Sequence, residues 1–221
     1  LTVIENSGSS PGRKGFKMLV AQDGFIFGSV GGGVMEFSLV EEAQNLLKKA
    51  DLKIFLKKQV HQGNIKDGSG MICSGKQTVV FHPLNFDHIS IVEDILDCLQ
   101  HNQQKTIHLS PSSFGFSDTA IENKYESNTS TGEDWTFKEL IGFKNTLYIV
   151  GGGHVGLAVS ELFLKLGFYV VVFDNRTQLN TFEGNQFAHK KQLIAYSEIE
   201  NYILEGKDSY IAIMTNKYTD D

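Results

Sequence analysis

The stretch Leu147-Tyr148-Ile149-Val150-Gly151-Gly152-Gly153-His154-Val155-Gly156 decides the fold of the second half of the chain. Its first four residues predict a buried strand, and its glycines fit the pattern G-x-G-x-x-G. Residues 155–166 predict a helix, and an apolar strand over 168–174 ends on Asp174, 18 residues after Gly156. Strand, glycine-rich turn, helix and second strand form the first unit of a Rossmann-like parallel sheet, which residues 192–195 and 210–214 continue.

The glycines of this fingerprint suit the phosphates of a dinucleotide. Gly151 allows a tight turn, Gly153 lets the backbone approach a pyrophosphate, and Gly156 lets helix and strand pack closely. The N-terminus of the helix adds free N–H groups and a partial positive charge. His154, inside the loop, either contacts a phosphate or a substrate or is an exposed loop residue.

Asp174 has the position of the acidic residue that binds an adenosine ribose. Its carboxylate would accept hydrogen bonds from the ribose hydroxyls and would repel a 2′-phosphate, which favours NAD over NADP. The nearby Arg176 weakens that preference. The alternative is a Rossmann-shaped domain that holds no nucleotide or holds another ligand.

Two glycine-rich segments near the N-terminus predict a close approach of backbone to an anionic ligand. Residues 7–17 combine hydroxyls, free N–H groups and cations, supplied by Ser9, Ser10, Arg13, Lys14 and Lys17. Residues 28–36 run from a strand into a helix through Gly31, Gly32 and Gly33, and the start of that helix favours a negative group. The alternative for both segments is a tight turn with solvated charges.

A third glycine-rich segment, Gly70-Met71-Ile72-Cys73-Ser74-Gly75-Lys76-Gln77, resembles a P-loop but is not one. Gln77 replaces the Ser or Thr that would bind Mg²⁺, and a predicted strand follows where a P-loop needs a helix. Cys73 has Lys76 nearby to stabilise a thiolate, which could ligate a metal or carry sulfur. The alternative for Cys73 is a small buried apolar residue, which is also our interpretation of Cys98 on a predicted helix.

Composition excludes several classes of protein. The 221 residues carry a formal net charge of −6, which argues against general nucleic-acid binding. No apolar run approaches the ~20 residues that span a bilayer, so we expect no membrane partner. The two cysteines and the lack of a signal peptide are typical of a cytoplasmic protein. Because the chain begins with Leu1, we expect it to be a segment of a longer protein.

The predicted fold class is α/β, with an N-terminal α+β domain followed by a Rossmann-like parallel-sheet domain. We assign residues 1–110 to the first domain, 111–143 to a polar linker with short strands, and 144–221 to the second domain. Within the linker, Trp135 and Phe137 are expected to attach it to one domain. Because the chain ends shortly after the fourth predicted strand, we expect the Rossmann-like domain to be partial.

The order of these motifs resembles the XdhC/CoxI family of xanthine dehydrogenase accessory proteins. In this chain the family's motifs are Gly8-Ser9-Ser10-Pro11, Gly15-Phe16-Lys17-Met18, Gly28-Ser29-Val30-Gly31-Gly32-Gly33-Val34-Met35-Glu36, Gly70-Met71-Ile72-Cys73-Ser74-Gly75 and Gly151-Gly152-Gly153-His154-Val155-Gly156. The later stretches Phe173-Asp174-Asn175-Arg176 and Met214-Thr215 also look like it. The resemblance covers nearly the whole chain.

The resemblance implies a factor that binds molybdenum cofactor, assists its sulfuration and passes it to an apo molybdenum hydroxylase of the xanthine dehydrogenase type. A cysteine desulfurase is then a further expected partner, and a homodimer is the base-rate expectation for the oligomeric state. The molybdopterin would be held by the two N-terminal segments, with Cys73 as the sulfur carrier or molybdenum ligand. The residues assigned to molybdopterin are Ser9, Ser10, Arg13, Lys17, Gly31, Gly32, Gly33 and Glu36.

Three positions depart from the family pattern. Gly12 stands where many members have Arg, Val34 where CoxI-like members often have Cys, and Ser74 where a glycine follows the cysteine. Cys73 is therefore the one thiol of these loops, which weakens a two-thiol mechanism. The alternatives are an NAD(P)-dependent oxidoreductase whose small substrate lies between the two domains, and a regulatory module that senses a nucleotide.

Overall fold

The computed structural model describes residues 1–49, 53–61, 75–131 and 134–215. These divide into two compact units, which we describe separately. Unit 1 comprises Leu1–Asp94 and Lys105–Ile141, and unit 2 comprises Ile95–Gln104 and Gly142–Asp221. In these described ranges, no helix is both long enough and apolar enough to cross a membrane.

Unit 1 is an α+β fold built on antiparallel sheets. Its elements are β1 (Thr2–Gly8), β2 (Met18–Val20), β3 (Ile26–Gly28), α1 (Gly33–Lys49), β4 (Phe55–His61), β5 (Gly75–Phe81), the start of α2 (Ile89–Gln100), β6 (Lys105–Leu109), β7 (Phe114–Phe116), β8 (Tyr125–Thr131) and β9 (Asp134–Ile141). The strand orders are β1-β5-β4, β2-β3 and β7-β6-β9-β8. A single 3₁₀ turn, Phe86–His88, precedes α2.

Both faces of the sheet β1-β5-β4 carry an apolar cluster. Successive residues of its strands point to opposite faces and so contribute to different clusters. Val3 and Val79 pack with Leu39 of α1 in one core cluster. Ile4 and Val80, their chain neighbours, pack in a second cluster with aromatic residues of β9. Strands β1 and β5 therefore lie between two apolar clusters, and they carry the first and third glycine-rich segments at their ends.

Residues 111–143 are the predicted linker with short strands, and residues 111–141 belong to unit 1, mostly as strands. Strands β7, β8 and β9 join β6 in one four-stranded antiparallel sheet that belongs to unit 1. Strand β9 alternates exposed and buried residues, and Trp135 and Phe137 are its buried members. Strand β8 forms one edge of the sheet and is rich in Ser and Thr, which is why its pattern resembles a linker.

Unit 2 confirms the predicted Rossmann-like parallel sheet. Its elements are the end of α2, β10 (Thr146–Val150), α3 (His154–Lys165), β11 (Tyr169–Asp174), α4 (Asn180–Glu183), β12 (Lys190–Leu193), a 3₁₀ turn (Tyr196–Asn201) and β13 (Ser209–Ile213). The strand order is β12-β11-β10-β13, and every pairing is parallel. All six residues of β11 are buried, as expected for a strand covered on both faces.

Candidate functional site

The glycine-rich ends of unit 1 are brought together by direct backbone contact. A Cβ added to Gly31 would lie 2.6 Å from the N atom of Gly12, and one added to Gly75 would lie 2.4 Å from the N atom of Ser10. Any side chain at these two glycines would therefore collide with backbone. The absence of side chains lets three segments that are distant in sequence meet at one place, at the ends of β1, β3 and β5.

Gln77 of β5 joins these segments and is the residue that sequence reasoning missed. Its Oε1 accepts hydrogen bonds from the Ser10 hydroxyl at 2.9 Å and the Gly12 N–H at 3.1 Å. Its Nε2 donates to Gln59 Oε1 at 2.8 Å and to the Val30 carbonyl at 3.3 Å. An amide close to the apolar run Val79-Val80-Phe81 is a signal for buried partners, but the sequence does not say which ones.

Glu36 fills the concave backbone of the second glycine-rich segment. One carboxylate oxygen accepts from the Ser29 hydroxyl at 2.6 Å and from the N–H groups of Val30 at 2.8 Å and Gly32 at 2.9 Å. Burial by itself would raise the pKa of Glu36, but the hydrogen bonds from Ser29 and from the backbone of residues 30–32 outweigh burial and lower it. The anion that this turn holds is thus the chain's own carboxylate.

The three cations predicted to bind an anion differ in whether they already have a partner within the chain. Lys17 forms an ion pair with Glu139 of β9 and also donates to the Gly15 carbonyl at 3.2 Å. Lys14 donates to the Ser127 hydroxyl at 2.9 Å. Arg13 is exposed, and its guanidinium has no hydrogen-bond partner or ion pair within the described part of the chain. Of the three, Arg13 is the cation best placed to meet a ligand from solvent.

The remaining predicted residues of the first domain are easily located. Ser9 is exposed, whereas Ser10 is buried and bonded to Gln77. Cys73 lies outside the described residues, so its predicted role stays a prediction. Cys98 is a buried free thiol on α2. Across the described ranges, no three His, Cys, Asp or Glu side chains come close enough to hold a metal ion.

In unit 2 the fingerprint adopts the predicted strand–turn–helix geometry. Gly151 has φ +112°, a conformation that favours glycine, and an added Cβ at Gly156 would lie 2.1 Å from the Gly151 carbonyl oxygen. Gly153 is the N-cap of α3, and His154 is its exposed first residue. The loop therefore has the turn and the close helix packing that the spacing predicts.

Asp174 ends β11 as predicted, but its carboxylate is fully buried and already bonded. Oδ1 accepts from the backbone N–H and Nε of Arg176, both at 2.9 Å. Oδ2 accepts from the Gly152 N–H and from Arg176 Nη2, both at 2.7 Å. Burial tends to raise the pKa of Asp174, yet these bonds and the guanidinium charge lower it. These four bonds leave the Asp174 carboxylate no free lone pair with which to bind a ribose hydroxyl.

The loop is also covered by α4. The Thr181 hydroxyl donates to the Gly152 carbonyl at 2.7 Å. A Cβ added to Gly152 would lie 2.6 Å from the Phe182 ring, so that ring rests directly on the glycine. A Cβ added to Gly153 would lie 3.9 Å from Nη2 of Arg176. Sequence reasoning identified Gly153, Asp174 and the nearby Arg176, but not Thr181 and Phe182, which cover Gly152.

Comparisons with known proteins agree with this architecture. Residues 1–55 match the model of the XdhC and CoxI family, and residues 147–221 match the model of the XdhC Rossmann domain. The uncharacterized protein YqeB of Escherichia coli K12 is 32% identical over 77 residues, which is 35% of this chain and 14% of that protein. The match thus spans about one seventh of YqeB.

A solved structure also shares the fold. A crystal structure described as a xanthine dehydrogenase from Bacillus halodurans superimposes with a TM-score of 0.73 at 20% sequence identity. The likeness covers 99% of this chain and 70% of that chain. At this identity the comparison concerns the fold of the two chains.

Proposed function

Because the chain belongs to the XdhC and CoxI family, we propose that it is an accessory factor of a xanthine dehydrogenase-type molybdenum enzyme and carries molybdenum cofactor as its cargo. The two family models match the N-terminal segment and the Rossmann unit, in the order that the motifs predict. The expected receiver is an apo molybdenum hydroxylase. A cysteine desulfurase as sulfur source and a homodimeric state stay predictions from the sequence.

The observation that supports the cargo proposal is the meeting of three glycine-rich segments around Gln77. The chain's own atoms fill the space beside Gly12, Gly31 and Gly75, whereas the space beside Gly32 and Gly33 is open. Backbone without side chains can approach a flat, polar ligand closely, and Gly32 and Gly33 supply such backbone. Molybdopterin combines a polar pterin, a dithiolene and a phosphate. A surface made of backbone amides with an exposed cation at its margin matches the pterin and the phosphate.

Within this surface we assign the phosphate to Arg13, with Ser9 beside it. Both side chains are exposed, and a guanidinium can bind a phosphate through two parallel hydrogen bonds. Lys17 would reach the cargo only by leaving Glu139, and Glu36 is occupied by Ser29 and the backbone of Val30 and Gly32. Glu36 and Lys17 then act on the cargo indirectly, by shaping the loops.

Cys73 lies outside the described residues, and its assignment comes from the sequence and the family resemblance alone. We assign it to the dithiolene and molybdenum end of the cargo, as a molybdenum ligand or as the thiol that carries sulfur. A soft thiolate suits either role.

The test is retention of cargo by the protein. The protein is incubated with molybdenum cofactor and passed through a gel-filtration column, after which protein-bound molybdenum and pterin are measured. We expect near-stoichiometric retention by the wild type, a loss of about tenfold in affinity for Arg13→Ala, and a further loss of molybdenum for Cys73→Ala. The control is Lys48→Ala, since Lys48 is an exposed cation at the far end of α1.

Two results would contradict the proposal. One is the absence of retained pterin on folded wild-type protein with intact cofactor. The other is equal retention by wild type, Arg13→Ala and Lys48→Ala, which would place the cargo elsewhere on the molecule. Activation of an apo molybdenum hydroxylase by the loaded protein tests the accessory role separately.

A further inference from the structure

Asp174 and Arg176 form a closed unit at the position where Rossmann domains recognise ribose. A carboxylate has about four lone-pair positions for hydrogen bonds. Each oxygen of Asp174 accepts two bonds, three of the four donors belong to Arg176, and the fourth is the Gly152 N–H. No acceptor position is left for the two hydroxyls of an adenosine ribose.

Solvent access leads to the same conclusion. The Asp174 side chain is 0% exposed, while that of Arg176 is 40% exposed. A ligand arriving from solvent therefore meets the guanidinium and not the carboxylate. To donate to Asp174, a ribose hydroxyl would have to displace a charge-assisted bond, which is among the stronger hydrogen bonds in proteins.

The same unit fixes the glycine-rich loop. The Gly152 N–H points to Asp174 at 2.7 Å, and the Gly152 carbonyl accepts from Thr181 at 2.7 Å. Both backbone polar groups of the second loop residue are thus bonded within the chain. The carboxylate holds the loop against the end of β11, a structural task that accounts for its burial.

We propose that Arg176 withdraws Asp174 from ligand recognition, so that this Rossmann unit does not select NAD through its adenosine ribose. Asp174 instead anchors the glycine-rich loop. This inference concerns unit 2 and does not depend on the cargo assigned to unit 1. It also removes the main structural support for a nicotinamide-dependent oxidoreductase.

The first test uses the wild-type protein only. Calorimetric titrations compare NAD⁺ with its analogue that lacks the adenosine 2′-hydroxyl, each up to about 1 mM, the weak end of specific binding. We expect either equal affinities or no saturable binding of either compound. An affinity for NAD⁺ at least tenfold higher than for the deoxy analogue would overturn the proposal.

Two variants test the role of each partner. Arg176→Ala frees two acceptor positions on Asp174, so we expect a preference for NAD⁺ over the deoxy analogue that the wild type lacks. Asp174→Asn should lower the melting temperature by at least about 4 °C, because it leaves the guanidinium and the Gly152 N–H without their charged acceptor. An Arg176→Ala protein with no such preference, or an Asp174→Asn protein with the melting temperature of the wild type, would contradict the proposal.

Discussion

Gln77 shows how a single buried amide can hold together segments that are far apart in sequence. It makes two donated and two accepted hydrogen bonds, the full capacity of a glutamine side chain. Its partners come from the first two glycine-rich segments and from β4. Because Gln77 is only 3% exposed, water cannot replace these bonds.

We therefore expect Gln77→Met to destabilise the fold more than its volume suggests. The substitution keeps the size of the side chain but leaves the Ser10 hydroxyl, the Gly12 N–H and the Gln59 amide short of partners. At about 1–3 kcal/mol for each buried group left unsatisfied, the loss should exceed about 3 kcal/mol. Urea unfolding measures it, with Lys76→Met on the exposed neighbour as control. A loss below about 1 kcal/mol would contradict this account.

Glu36 should contribute stability that depends on pH. Its pKa is lower in the folded protein than in the unfolded chain, so its contribution is present above the unfolded value of about 4.3 and is lost as the pH falls through the folded value. We expect Glu36→Gln to destabilise the protein by about 1 kcal/mol at pH 7. The difference from wild type should shrink below pH 4.5. The control is Glu41→Gln, an exposed residue on the same helix.

A pH-independent difference between the wild type and Glu36→Gln would mean that the charge of Glu36 is not what the loop requires. In that case only the shape of the side chain would matter for the turn of Gly31 to Gly33.

His82 is a second residue whose titration affects stability. Burial, then the nearby His88 and the N-terminal ammonium, lower its pKa to about 4. Its ring contacts Phe114 edge to face, and its Nε2 is buried without a hydrogen-bond partner among the described residues. The unfolded chain therefore takes up a proton near pH 6.5, before the folded protein does.

Lowering the pH from 6.5 towards 4 should consequently destabilise the wild type relative to His82→Phe. Phenylalanine keeps the aromatic contacts and has no proton to gain. Thermal unfolding at half-unit pH intervals measures the difference, with His154→Ala, an exposed histidine, as control. Parallel pH profiles for wild type and His82→Phe would contradict the inferred burial of a neutral ring.

At the scale of elements, the β1–β2 loop is shaped by the strand on which it rests. Gly15 has φ +90°, and an added Cβ would lie 2.1 Å from the ring of Tyr125 in β8. Gly24, in the β2–β3 turn, has a similar φ of +94°, but its Cβ would meet no atom within 4 Å. The two glycines thus share a positive φ, which would strain any other residue, and differ in packing.

This pair separates the two effects. Gly24→Ala should cost about 1 kcal/mol, the strain of a left-handed alanine. Gly15→Ala should cost about 1–3 kcal/mol more, because it also forces Tyr125 to move. Chemical denaturation of both variants measures the difference. Equal losses of unfolding free energy in the two variants would mean that Tyr125 and β8 move without cost. The sheet of β6 to β9 would then not fix the loop that carries Arg13.

At the scale of the whole molecule, the described chain contains separate hydrophobic cores in its two units. Trp135, the only tryptophan in the sequence, is buried in a cluster of unit 1. Val172 lies in a cluster of unit 2 and Val79 in one of unit 1, and both are fully buried. Tryptophan fluorescence therefore reports unit 1, whereas circular dichroism reports both units.

Val172→Ala should lower the free energy of unfolding of unit 2 by about 2 kcal/mol. We therefore expect part of the circular dichroism transition to move to a lower midpoint, while the fluorescence midpoint stays unchanged. Val79→Ala is the matched control and should move the fluorescence midpoint. If Val172→Ala moved both midpoints equally, the two cores would unfold as one cooperative unit.

The sequence by itself determined the Rossmann unit almost completely. Its apolar strands, its glycine spacing and the acidic residue at the end of β11 are local features within about 30 residues, and the predicted strands over 192–195 and 210–214 correspond to β12 and β13 with shifts of a few residues. The family resemblance could also be recognised, because it depends on short motifs in a fixed order.

Only the tertiary structure decided what those residues bind within the chain. The Gln77 amide bonds Ser10 across 67 positions, and Lys17 pairs with Glu139 across 122. A sequence pattern reports periodicity over one or two turns of helix or a few strand residues, so it can identify residues suited to bind an anion. A sequence pattern does not show that Glu36 already fills the turn before it, or that Arg176 already bonds Asp174. The tertiary structure decides which donors lie close enough to each acceptor to bond it.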